Sequence, residues 1–153
     1  MNVICFGDSN TYGYDPRGCF GGAYTNCWVN LLEEKTGWCI GNDGLNGREI
    51  PVYPVSFPDH TDLLIIMLGT NDLLQNRTPV TICSRMEQFL DSLSIFRERI
   101  ILVAPPPMLP GEWTQIPGLI ENTSLLAKLY SSLSERLCIR FLDPGPWEYT
   151  NLL

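Results

Sequence analysis

The chain has 153 residues, 44% of them hydrophobic and 18% charged, with ten Lys and Arg against seventeen Asp and Glu for a formal net charge of −7. That length supports one domain, 1–153, with a real core, and that composition excludes a disordered chain. No apolar run reaches the roughly 18 residues of a membrane-spanning helix, and no basic segment leads into a signal-like stretch. An acidic chain without a basic cluster suits neither nucleic acid nor an anionic membrane. The expectation is a cytoplasmic protein with a small-molecule partner, its oligomeric state left open.

Strand and helix patterns alternate along the chain. Asn2–Phe6 is a short apolar run. Tyr24–Lys35 has Tyr24, Cys27, Trp28, Leu31 and Leu32 on one helical face, with Gly37 as its stop. Trp38–Asn42 reads as the second strand. Residues 44–61 contain Pro51, Pro54 and Pro58, which leave little room for a regular helix, so an irregular crossover or one short turn of helix is expected there. Asp62–Leu68 is apolar on both faces, as the centre of a parallel sheet requires. Thr78-Pro79 starts a helix whose buried stripe is Cys83, Met86, Phe89, Leu90, Leu93 and Phe96. Arg99–Ala104 is the fourth strand, Pro105–Gly118 a Pro- and Gly-rich loop, and Leu119–Leu137 the third helix. Cys138–Leu142 is the fifth strand. Five apolar strands alternating with helices read as an α/β parallel sheet covered on both sides, with right-handed connections. No pattern for a further helix follows the fifth strand.

Six cysteines lack both a C-x-x-C pair and zinc-ligand spacing. Cys5, Cys39 and Cys138 fall in apolar runs read as buried strands, and Cys27 and Cys83 on apolar helix faces. All are expected to be reduced thiols, with Cys19 in a Gly-rich loop the one to watch for reactivity.

In an open parallel sheet, ligands bind beyond the carboxyl ends of the strands. The loops there include GDSNTYG at 7–13, DGLNGR at 43–48, GTND at 69–72, PPPMLP at 105–110 and DPGPW at 143–147. Ser9 can present its hydroxyl beside backbone N–H groups, the arrangement of a nucleophile with an oxyanion site, or Asp8 and Ser9 can simply form a turn or cap a helix. Gly44 and Gly47 are turn glycines or places where a backbone N–H approaches a substrate oxygen. Asn71 can donate a side-chain amide into the same crevice, while Asp72 can cap or brace its loop. Trp113, Met108, Tyr12 and Tyr14 are candidates for lining a pocket or for anchoring loops.

The blocks GDSNTYG, NDGLNGR and MLGTND, in this order and spacing, resemble the GDSL esterases, also called SGNH hydrolases. DLLIIMLGTND followed by RIILVAPPPML is similar to their arylesterase-like branch, which also includes acyltransferases. The resemblance implies a flavodoxin-like three-layer α/β/α sandwich with five parallel strands in the order 2-1-3-4-5. It implies that Ser9 is the nucleophile and lends its N–H to the oxyanion hole. It further implies that Gly44 is the second donor through its backbone and that Asn71 is the third through its amide. The reaction implied is acyl transfer from a small ester through a Ser9 acyl-enzyme, with no metal or organic cofactor. A flavodoxin proper is disfavoured, because Asp8 would repel a phosphate in the first loop.

One family block, a C-terminal D-x-x-H carrying the catalytic Asp and His, has no counterpart. The only histidine is His60, just before the third strand and so at the opposite edge of the sheet, on the order of 20 Å from the crevice at roughly 3.3 Å per strand residue. Asp143 ends the fifth strand on the correct side, but a carboxylate is a poor base for a serine at neutral pH. The expectation is a natural chain that continues past Leu153 with the missing pair. The alternative is a binding module on the same fold, catalytically incomplete.

Overall fold

The computed structural model describes residues 1–18 and 22–145, apart from the side chain of residue 113. Five strands form one parallel sheet in the spatial order β2-β1-β3-β4-β5. They are β1 (Asn2–Gly7), β2 (Cys39–Gly44), β3 (Leu63–Met67), β4 (Ile100–Val103) and β5 (Arg140–Leu142). The longer helices are α2 (Trp28–Thr36), α4 (Pro79–Ser92) and α5 (Leu119–Leu137), and two short ones are α1 (Ser9–Tyr12) and α3 (Thr70–Leu74). This is the expected doubly wound α/β sandwich. Each long element lies where the apolar period places it, with ends displaced by a few residues.

The period-two alternation of the strands divides the core. Val3, Cys5, Leu63, Ile65, Met67 and Val103 face α2, with Cys27 and Val29. Phe6, Leu64, Ile66, Ile100 and Leu102 face α4 and α5, packing on Met86, Phe89, Leu126, Tyr130 and Leu133. β3 is buried at all five positions, as its two-sided apolar run requires. The helix boundaries have local causes. Thr78 caps α4 by accepting the Thr81 N–H, with Pro79 in the first turn. Gly37 ends α2 in the left-handed region at φ 67°.

Four expectations are corrected. Cys39 and Cys138 are exposed, because Cys39 opens the edge strand β2 and Cys138 caps α5 at φ 55° before β5 begins. Phe96 lies past the end of α4 and is 70% exposed, with the Arg99 guanidinium over its ring. The α2 helix begins at Trp28 rather than Tyr24, with residues 25–26 in a turn. The segments 7–13 and 69–72, read as loops, contain residues of two short helices, Ser9–Tyr12 and Thr70–Leu74. Cys5 is fully buried and its thiol is pushed up to about 12 by that burial, with Cys27 adding to it. Cys19 and residues 146–153, and with them the expectation about a last helix, lie outside the described residues.

Two features position the site. The chain from β2 to β3 has no helix, and Ile50 in its middle is 1% exposed. On the α2 side, β3, β4 and β5 with Trp28, Leu31 and Leu32 line a groove of about 950 Å³.

Candidate active site

The site is built from the carboxyl ends of β1, β2 and β3. Asp8 caps α1, its carboxylate accepting the Asn10 N–H at 2.9 Å. Ser9 follows as the first residue of α1 and is half-buried. Among the described residues neither its N–H nor its hydroxyl has a hydrogen-bond partner. Its neighbour Asn10 donates its side-chain amide to Thr70 Oγ1 at 3.2 Å, and the Trp28 indole donates to the Asn10 carbonyl at 3.0 Å. The first bond ties the Ser9 turn to the β3 loop; the second ties it to α2.

Asn71 stands in the first turn of α3, one residue after Thr70. Its Nδ2 donates to the Arg48 carbonyl at 3.1 Å, so the β3 loop also holds the β2 loop. Arg48 completes the linkage. Its guanidinium donates to the Gly7 carbonyl at 3.0 Å and to the Asp43 carbonyl, pairs with the Asp43 carboxylate at 3.0 Å, and lies 4.2 Å from the Phe6 ring centroid. The loops carrying Ser9, Gly44 and Asn71 therefore meet at one sheet edge.

Gly44 is the last residue of β2. Its N–H donates to Asn42 Oδ1 at 2.9 Å, which occupies the donor assigned to a substrate oxygen. A Cβ there would lie 2.2 Å from the Tyr12 nitrogen and 2.5 Å from the Tyr12 Cα, so position 44 lets α1 pack against β2. Gly47, three residues on, occupies the left-handed region at φ 79° and its N–H has no partner among the described residues. It immediately precedes the residue whose carbonyl holds Asn71.

Two carboxylates under the site are fully buried. Burial pushes Asp8 up to about 6, with the hydrogen bond from the Asn10 N–H opposing and the Asp72 charge adding to the rise. Asp8 Oδ2 has no partner among the described residues. Asp72 is also raised by burial, against the opposing pull of the Ile50 N–H and the Arg85 guanidinium. Asp72 braces its loop, one of the roles its sequence position allowed. Arg85, Glu49 and Arg77, which surround it, carry no sequence signal beyond being charged residues in or beside apolar segments. For Arg85 the one clue is its helical spacing from Ile82, Met86 and Phe89, which puts it beside the buried stripe of α4.

His60 is exposed in the turn that precedes β3, at the opposite edge. Asp143 follows β5 and accepts the Gly145 N–H at 2.9 Å. Tyr12 is half-buried, Tyr14 is 42% exposed and pairs with Ala23, and Met108 packs against the α4–α5 core. The Trp113 side chain lies outside the described residues. No group of three metal-ligating side chains occurs among the described residues.

Among solved structures, a carbohydrate acetylesterase family member from Sinorhizobium meliloti is 25% identical with a TM-score of 0.75, the match covering 93% of this chain and 82% of that one. The inhibitor-bound aryl esterase of M. smegmatis is 25% identical with a TM-score of 0.76, covering 93% and 83%. A lipase/acylhydrolase from Enterococcus faecalis, 21% identical with a TM-score of 0.73 over 93% and 75%, shares the fold. No protein of curated function matches the sequence significantly. The profile of the GDSL-like lipase/acylhydrolase family matches residues 5–152, nearly the whole length that supplies the sheet and all three loops, and the chain belongs to that family.

Proposed function

We propose that this chain is a serine-dependent hydrolase of small acyl esters. The observation that carries the reading is that the loops bearing the unpartnered Ser9 hydroxyl and the Asn71 amide are tied together at one sheet edge by the Asn10–Thr70 and Asn71–Arg48 hydrogen bonds. Ser9 Oγ attacks the ester carbonyl carbon and its proton passes to a base. The tetrahedral oxyanion collapses to an acyl-enzyme as the alcohol leaves with a proton. Water then attacks the acyl carbon and returns Ser9 to its starting state; an alcohol in place of water makes the same intermediate an acyl donor.

The negative oxygen needs preorganised donors. The Ser9 N–H and Asn71 Nδ2 supply two. The third donor in this reading is the Gly47 N–H, in place of the Gly44 N–H that the sequence suggested, because Gly44 is bonded to Asn42 while Gly47 is not bonded among the described residues. Among the described residues no histidine lies on this edge, so the base is the one component they do not furnish. That observation favours a second reading, a binding module that holds an acyl ester or its carboxylate in the same crevice.

The two readings separate in one experiment. The protein is incubated with p-nitrophenyl acetate and, separately, with a fluorophosphonate probe, and the labelled peptide is identified by mass. The hydrolase reading expects an adduct on Ser9, a fall in turnover of about three orders of magnitude or more in Ser9→Ala, and no change in His60→Ala. Parent-level turnover in Ser9→Ala sinks it; neither adduct nor turnover in the parent leaves the binding module.

A further inference from the structure

The β2–β3 crossover is buried at Ile50 yet belongs to no helix or strand. Its backbone polar groups have no ladder to join, and a buried peptide left unpaired costs free energy. The Ile50 peptide groups are paired by side chains from elsewhere. Asp72 Oδ2 accepts the Ile50 N–H at 3.0 Å, and Arg85 Nη2 donates to the Ile50 carbonyl at 3.3 Å. Arg85 Nη1 joins the two grips by donating to Asp72 Oδ1 at 2.9 Å.

Two further charges complete the cluster. Glu49 accepts from Arg77 at 2.8 Å and from Arg85 at 3.2 Å, and Arg77 Nε lies 3.8 Å from Asp72 Oδ1. Two carboxylates and two guanidiniums sum to zero charge. The Asp72 side chain is fully enclosed and that of Arg85 is 18% exposed. A charge so buried persists only when it is paired and hydrogen-bonded.

The location gives the cluster its meaning. Asn71, adjacent to Asp72 in α3, holds the Arg48 carbonyl two residues before Ile50. Residues 71 and 72 thus grip residues 48 and 50 of a segment that has no regular structure of its own. The geometry points to Asp72 and Arg85 as positioning residues of the Ser9 site: their clasp on the Ile50 peptide sets where the Gly47–Arg48 turn sits, and through the Arg48 carbonyl it sets the orientation of the Asn71 amide. This rests on the acyl-ester reading for its catalytic consequence, but not for its structural one. A displacement of about 1 Å in an oxyanion donor can cost on the order of 100-fold in rate. Lysine at 85 keeps the charge but lacks the fork that reaches the Asp72 carboxylate and the Ile50 carbonyl together.

The test uses Arg85→Lys and Arg85→Met in the full chain, with Arg136→Gln, which removes a surface pair with Glu87, as the control. Each is assayed with p-nitrophenyl acetate so that kcat and KM are separated, and the Asn71 side-chain amide is followed by 15N–1H NMR. In Arg85→Met the expected result is a drop of about 10- to 100-fold in turnover at saturating ester. Arg85→Lys should show a smaller drop. In both, KM stays within about threefold of the parent and the Asn71 amide resonance is displaced. The control moves none of these. An Asn71 resonance unmoved in folded Arg85→Lys overturns the proposal. So does a loss that appears only in thermal stability. Should Arg85→Met not fold, Arg85→Lys decides. Should Ser9→Ala turn over ester as fast as the parent, the acyl-ester reading fails, and the Asn71 resonance alone still decides the clasp.

Discussion

Replacing Asp8 by Asn should stabilise the protein at neutral pH and leave it nearly unchanged in acid. Asp8 is fully buried beside the β1 terminus, and its carboxyl is raised from 3.8 to about 6, chiefly by burial. Between those values the folded chain keeps a proton that the unfolded chain has released. Stability therefore falls as pH rises from about 4 to about 6 and levels off above that. Two pKa units at about 1.36 kcal/mol each give a loss of about 3 kcal/mol across the window. Asn cannot ionise, and its Oδ1 can still accept the Asn10 N–H that caps α1, so Asp8→Asn escapes this loss. Urea unfolding of both proteins at a series of pH values from acid to mildly basic measures the difference directly. The two stability curves should separate by about 3 kcal/mol over that series, with the variant the more stable at the upper end. Curves that run parallel over the whole range would refute the assignment of a buried, raised carboxylate to position 8.

Gly44→Ala places a Cβ 2.2 Å from the Tyr12 nitrogen, which is backbone and cannot rotate away. We expect it to cost about 1–3 kcal/mol by chemical denaturation and to slow the labelling of Ser9 by a fluorophosphonate, since α1 must move. Tyr130→Phe removes the hydroxyl that donates to the Leu68 carbonyl at 3.1 Å in a fully buried position. The carbonyl loses this partner, and a loss of about 1–3 kcal/mol is expected by the same assay with little change in turnover.

The sheet is legible because its strands carry their burial in their composition. Leu63–Met67 is apolar at every position and forms the central strand; alternation in Val3–Phe6 and Ile100–Val103 divides the two faces. Gly37 and Thr78-Pro79 mark helix ends through local backbone chemistry, which needs no tertiary context. Ser9 and Asn71 are legible as candidates because they follow strands on the edge where loops converge. What the sequence cannot show is which donor is already engaged. The Gly44 N–H is taken by a side chain two residues back, a 2.9 Å bond that depends on how the β2 loop folds. Arg85, in the middle of α4, resembles any helical arginine until its guanidinium is seen against Asp72 and Ile50. Cys39 and Cys138 mislead because apolar neighbours do not tell an edge or a helix cap from a strand interior.

The irregular crossover also bears on the order in which the molecule assembles. A helix in that place would form its own hydrogen bonds within one turn. Here the Ile50 N–H waits for Asp72, 22 residues later, and its carbonyl for Arg85, 35 residues later. Such contacts require closing long loops before any bond is gained. The Ile50 peptide groups gain these partners only when α3 and the first half of α4 are in place beside the crossover. We therefore expect the Ile50 amide to gain protection late in refolding, as pulsed hydrogen exchange would measure.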